Sequence, residues 1–154
     1  MHIRPLVERD LAETARLFHE TVQRVTAADY TKAQRNAWSL APLDRDVWRA
    51  RLKGQQGFVA QDGDAIVGFM TLGEGGYIDF AFVHHDHIGK GIGKALFAQV
   101  ERAARQNGDG RLWAMVSHTA KPFFQSLGFD VVRANTAERR GVQLENFEMA
   151  RPLR

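Results

Sequence analysis

The stretch Val83 to Val100, VHHDHIGKGIGKALFAQV, decides how this chain folds. An apolar run, IDFAFV, leads into it, and the repeat Ile92, Leu96, Val100 and Ala103 leads out. The first has the composition of a buried strand, expected over Tyr77 to Val83, and the second has the spacing of a helix with one apolar face. Between them, Gly89, Gly91 and Gly93 permit backbone conformations that a side chain forbids and let an anion approach the main chain closely. The following helix points its unpaired N–H groups and positive dipole end at the same place. Lys90 and Lys94 add full charges, so the stretch reads as strand, phosphate cradle and helix.

On the amino-terminal side, Asp10 with Glu13 has the spacing of a capping box, and Leu11, Leu17, Phe18 and Val22 continue a helical repeat to about Val25. Residues 30–54 are less regular, with Trp38, Pro42, Trp48 and Leu52, and predict one or two short helices that form a cleft wall. Phe58 to Gln61 and Ala65 to Leu72 flank Asp62, Gly63 and Asp64, which is a hairpin signal. Beyond the cradle, Asn107 and Gly108 close the helix, and Leu112 to Val116 reads as a strand. Pro122 suits the first turn of a short helix that turns Phe123, Phe124 and Leu127 inward and stops at Gly128. Two last strands fit Phe129 to Arg133 and Val142 to Arg151. The expected fold class is α/β (α+β), a mixed, mostly antiparallel central sheet of six to seven strands with helices on both faces.

The chain has 154 residues, 44% hydrophobic and 25% charged, which predicts one globular domain over 1–154 with a real core. With no cysteine, disulfides, thiolate metal sites and a cysteine nucleophile are excluded. The formal charge of +3 is small and its carriers are scattered, so nucleic acid is not implied. A membrane partner is not expected either, because no apolar run has spanning length, and cytoplasmic residence is the default.

Glycine-rich phosphate turns occur in several folds, so the pattern has to be discriminated. A P-loop needs Gly-x-x-x-x-Gly-Lys followed by Ser or Thr; here Ile88 takes the first glycine position and Ala95 the hydroxyl. The dinucleotide pattern Gly-x-Gly-x-x-Gly fails at Lys94 and lacks an amino-terminal βαβ unit. The sequence instead resembles the GNAT superfamily of N-acetyltransferases, whose first signature is Gln/Arg-x-x-Gly-x-Gly/Ala. Gly91 and Gly93 match its glycines. SHTAKPFFQSLGF resembles the family's second signature, in the form Ala-x-Pro-Phe-Phe of a bacterial branch. The resemblance covers nearly the whole chain, with three departures: Ile88 stands at the usual Gln or Arg, Ser117 at the usual Asn, and Phe124 at the position often held by Tyr.

The resemblance implies acetyl-CoA as the cosubstrate and direct transfer of its acetyl group to a primary amine, with a noncatalytic acyl-CoA-binding module as the alternative. It assigns diphosphate binding to Ile88, Gly89, Lys90, Gly91, Ile92, Gly93 and Lys94. It assigns the pantetheine arm to Ala81, Phe82 and Val83 on one side and Ser117, Ala120, Phe123 and Phe124 on the other. A backbone N–H near Phe82 or Val83 then faces the acetyl oxygen. Because Phe124 has no proton to give, the CoA sulfur, whose thiol has an ordinary pKa of about 8.5, leaves unaided.

Amine attack needs a base, since alkylammonium groups titrate near about 10.4. Asp79, an acid within an otherwise apolar strand, is the candidate base, and Tyr77 two residues earlier shares its strand face. A structural carboxylate paired with an arginine explains Asp79 equally well. Ser117 reads either as a cofactor contact or as a helix N-cap. Asp29, Tyr30, Glu145 and Asn146 are candidates for an exposed acceptor pocket, while Trp38 and Trp48 read as core. His84, His85 and His87 lack a carboxylate pattern, so no metal is assigned. The partner classes are a small amine or peptide amine and, from base rates, a second copy of the chain.

Overall fold

The computed structural model describes residues 1–153. In chain order its elements are β1 (His2–Pro5), α1 (Leu11–Arg24), α2 (Lys32–Trp38), α3 (Arg45–Leu52), β2 (Gln56–Asp62), β3 (Ala65–Leu72), β4 (Ile78–Val83), α4 (Ile92–Gln106), β5 (Arg111–Ser117), α5 (Lys121–Ser126), β6 (Asp130–Arg139) and β7 (Val142–Pro152). The strands form two antiparallel sheets, β1-β2-β3-β4 and β5-β7-β6. Among the described residues a single parallel bridge, Tyr77 to Trp113, joins them. The mixed, mostly antiparallel α/β architecture is the one expected, with its central sheet divided in two.

The two faces carry separate cores. Leu96, Val100 and Ala103 of α4 pack on Ile78, Leu112, Ala114, Val116 and Met149. On the other face, Leu11, Phe18 and Val22 of α1 and Trp48 of α3 pack on Val59, Phe69 and Phe80. Trp48 is fully buried and its ring N–H donates to Thr14 Oγ1 at 2.9 Å, so the polar end of the indole is satisfied inside the core.

β4 is irregular at one point that matters for the site. Opposite β3 the pairing runs Phe69 with Phe82 and Met70 with Ala81, then slips so that Leu72 faces Ile78. Asp79 and Phe80 therefore share the place of one residue, a β-bulge, and the hydroxyl of Thr71 takes the Phe80 N–H at 3.2 Å. The extra residue reverses the alternation: Ile78, Ala81 and Val83 join the α4 core, while Phe80 and Phe82 join the α1 core.

Several expectations are corrected. The Asp10–Glu13 capping box does not form. Arg4 takes both oxygens of Asp10 at 2.8 and 2.9 Å, Val7 donates its N–H to Asp10, and Glu13 accepts the Ile66 N–H instead. The sixth strand extends to Arg139 rather than ending at Arg133, because its polar half pairs with β7 along the whole hairpin. Tyr77 lies just outside β4, held by its bridge to Trp113.

Candidate active site

β4 and β5 run parallel from the Tyr77–Trp113 bridge, and among the described residues no further rung connects them. The Tyr77 and Trp113 rings meet tilted at 39° with centroids 4.4 Å apart, so this end of the gap is closed by two aromatic side chains. The gap opens toward Val83 and Ser117. In an antiparallel ladder alternate residues bond to the partner strand. Since the His84 N–H bonds to the Val67 carbonyl, Phe82 also bonds inward to Phe69, and the N–H and C=O groups of Ala81 and Val83 point into the gap. Of the two residues expected to offer an N–H there, Val83 is the one that can; Phe82 contributes its ring.

Beyond Val83 the chain makes a short turn over His85–His87 and reaches the head of α4. Gly89 and Gly91 have φ of +83° and +82°, and nothing lies within 4 Å of a Cβ built on either. Both face open space in a conformation that disfavours side chains. Among the described residues no side chain caps α4, whose first backbone bond runs from the Ala95 N–H to Gly91, leaving the N–H groups of Ile92, Gly93 and Lys94 without helical partners. Lys90 and Lys94 are exposed at this rim, and Ile88 is 53% exposed. Gly93 serves packing: a Cβ there would come within 2.9 Å of the Phe123 ring.

Ser117 ends β5, and its Oγ accepts the Ala120 N–H at 3.1 Å, which braces the turn before α5; the N-cap position of that helix is Ala120, with no side-chain cap among the described residues, so Ser117 is not its N-cap. Ala120 and Phe123 are partly exposed beside the turn. Phe124 is 3% exposed and meets Phe129 edge to face at 5.1 Å, a core position.

Asp79 is 9% exposed. Its Oδ2 accepts from Gln55 Nε2 at 2.8 Å, and its Oδ1 lies 3.4 Å from Arg51, whose guanidinium covers the Phe80 ring at 4.9 Å. Burial raises the pKa of the Tyr77 phenol above its ordinary value, and the Asp79 carboxylate adds to the effect. Arg51 and Gln55 were not foreseeable as its partners, since only the fold brings α3 and its following loop to β4.

Tyr30 differs most from expectation: it is 5% exposed rather than an open contact. Its hydroxyl donates to the Glu145 carbonyl at 2.7 Å and accepts the His118 N–H at 2.9 Å. Burial pushes its pKa up, with the His118 N–H opposing and Asp29 and Glu145 adding to the rise. Around it, Thr119 donates to Asp29 at 2.7 Å and His118 contacts Glu145 at 2.7 Å. Asp29, Tyr30 and Glu145 are thus brought together as a clasp fixing the segment before α2 to the ends of β5 and β7. Asn146 sits opposite Ser117 and accepts from Asn135 Nδ2 at 2.8 Å.

The histidines do acquire a carboxylate. Ligand-type atoms of Glu20, His84 and His85 lie within 4.8 Å of one another. However, His84 Nδ1 accepts the Asp86 N–H at 3.1 Å, which puts the ring proton on Nε2, and Arg24 stands 3.4 Å from His85 Nε2. Burial and the neighbouring His85 lower the His84 pKa.

The profile of the acetyltransferase (GNAT) domain matches residues 26–151. The chain belongs to the GNAT family. It is 30% identical over 149 residues to an uncharacterized N-acetyltransferase of Escherichia coli K12, YafP, covering 97% of this chain and 94% of that one. A GCN5-related N-acetyltransferase structure from Rhodopseudomonas palustris is 33% identical with a TM-score of 0.93, covering 99% of this chain and 95% of that one. YncA of Salmonella typhimurium, a putative acetyltransferase solved with acetyl-CoA, shares the fold at 23% identity and a TM-score of 0.75, covering 100% and 94%. Among the described residues no helix is long and apolar enough to cross a membrane.

Proposed function

We propose that this GNAT protein transfers the acetyl group of acetyl-CoA directly to a primary amine. The observation that carries this is the open glycine turn at an uncapped helix head, continuous with a strand edge whose N–H and C=O groups face a gap. The N–H groups of Ile92, Gly93 and Lys94 and the backbone from Ile88 to Gly91 hold a diphosphate, with Lys90 and Lys94 adding charge. Ala81 and Val83 pair with the amides of a pantetheine arm, and Phe82, Ser117, Ala120, Phe123 and Phe124 form its surroundings. When bound, the cosubstrate supplies an acyl group activated as a thioester.

The Val83 N–H, fixed by the β3 ladder, stabilises the acyl oxygen as negative charge develops on it. Asp79 collects the proton of the incoming ammonium through water, since it stands about two strand residues, roughly 7 Å, below the level of Phe82. Gln55 and Arg51 fix its carboxylate. Tyr77 closes the bottom of the gap beside it, and Asp29, Tyr30, Glu145 and Asn146 bound the acceptor side.

The test follows free thiol while the protein is mixed with acetyl-CoA and a panel of amines. Amine-dependent thiol release is expected, and Asp79→Asn lowers kcat while CoA affinity stays within about twofold. Unchanged turnover of Asp79→Asn near neutral pH, where the amine arrives as an ammonium and must lose a proton, removes the base role. A second reading, acyl-CoA sensing without catalysis, draws on the buried, proton-free Phe124 and the already paired Asp79. Tight CoA binding with no amine-dependent release from any amine selects it.

A further inference from the structure

The face of the β5-β7-β6 sheet turned away from α4 carries Trp113, Met115 and Ser117 of β5 and Asn146, Glu148 and Ala150 of β7, by register. Arg133 and Asn135 of β6 continue it. Counting from the Tyr77–Trp113 bridge, with the bulge absorbing one residue of β4, Ser117 and Asn146 stand level with Phe82. Met115 and Glu148 stand one pair lower, level with Asp79.

Glu148 is only 18% exposed, a largely covered acid on this face. Its ion-pair partner, Arg133, reaches it through Nε at 3.5 Å and is 67% exposed. The arrangement repeats that of Asp79 across the gap, an inward acid with an outward arginine at 3.4 Å that is 54% exposed. Both contacts are longer than a well-formed charge-assisted hydrogen bond of about 2.7–2.9 Å. Arg51 is held over the Phe80 ring and Asp79 keeps Gln55, whereas Arg133 is free to swing into water and leave Glu148 to another cation.

We infer that Glu148 is a specificity-determining residue that binds a second positive charge on the acceptor, so that the acceptor is a diamine or a molecule with diamine-like spacing. The inference rests on the acetyl-transfer reading above. An amine reacting at the level of Phe82 and a carboxylate one pair lower are separated by two strand residues, about 6–7 Å. A four- or five-carbon spacer between two nitrogens spans that distance, and Met115, paired with Glu148, offers apolar surface to the carbons.

Two measurements test this. In the thiol-release assay, 1,4-diaminobutane is compared with n-butylamine, and the expected preference in kcat/KM is about tenfold or more, the size of one charge-assisted contact. Glu148→Gln reduces that ratio to about threefold or less, mainly through KM of the diamine, and Glu148→Asp restores part of it. Equal kcat/KM for the two amines in the unmodified protein, or the same ratio in Glu148→Gln, overturns the inference. The second measurement is calorimetric binding of 1,4-diaminobutane to the protein–CoA complex. If no amine releases thiol yet the diamine binds and Glu148→Gln weakens it about tenfold, the transfer reading falls and the role of Glu148 stands. Diamine binding that is absent, or indifferent to Glu148→Gln, overturns that role.

Discussion

Removing the Tyr30 hydroxyl tests whether the clasp before α2 is a structural joint. The Tyr30→Phe substitution keeps the ring, which packs against Trp38 at 5.5 Å and His118 at 5.8 Å, and deletes two hydrogen bonds of 2.7 and 2.9 Å. Each orphaned backbone group costs about 1–3 kcal/mol if it stays dry. The side chains of Glu145 and His118 are 55% and 37% exposed, so water reaches the neighbourhood and the low end applies. The expected loss is about 2 kcal/mol in all. For a chain of this length that lowers Tm by roughly 4–8 °C. Urea unfolding of both proteins measures the free energy, and acceptor titrations measure function: KM for the amine rises while KM for acetyl-CoA holds. A loss below about 0.5 kcal/mol, the scatter of ordinary surface changes, with an unaltered amine KM refutes the reasoning.

Two further perturbations follow from the same geometry. Asp10 is 3% exposed and its pKa is lowered chiefly by the Arg4 hydrogen bond, so its ionised form contributes stability above the unfolded-state value near 3.9, and that stability is lost as pH falls through the lowered folded value. Asp10→Asn, which takes its charge partner from Arg4, is expected to cost about 3–5 kcal/mol at pH 7 and to flatten the fall in urea midpoint as pH drops below about 4. Gly91→Ala meets no atoms but forces a side chain onto a φ of +82°, at a cost of about 1–2 kcal/mol. CoA affinity measured by calorimetry should fall by about tenfold or more as the turn relaxes, and retained affinity would show that the cradle does not depend on that conformation.

How much was legible varies with the range of the interaction that decides each feature. The β2–β3 hairpin was readable because Gly63, at a φ of +61°, and Asp64 make the turn between Asp62 and Ala65 locally. The glycine turn and α4 were readable for the same reason. Asp10 was misread because its partner, Arg4, precedes the helix and outcompetes the cap. The hydroxyl of Tyr30 finds its partners 88 and 115 residues away, and no local pattern announces them. The bulge at Asp79 and Phe80 is equally silent: alternation in IDFAFV gives no sign that one residue will be absorbed. Glu148 was passed over because, in VQLENFEMA, it looks like one more outward polar residue of an alternating strand.

The lone bridge between Tyr77 and Trp113 has a thermodynamic consequence. Two ladders that share one rung need not melt as one, because the free energy that makes unfolding all-or-none must pass through that rung and the helix laid across both. A molecule whose amides pair with the free edge of β4 and which also touches β5 adds rungs where the chain has none. Its binding raises stability by mass action and couples the halves, so amide protons of β5 and β7 exchange on the same schedule as those of β3 and β4 only when the gap is filled. The cosubstrate thereby completes the cooperative unit that consumes it.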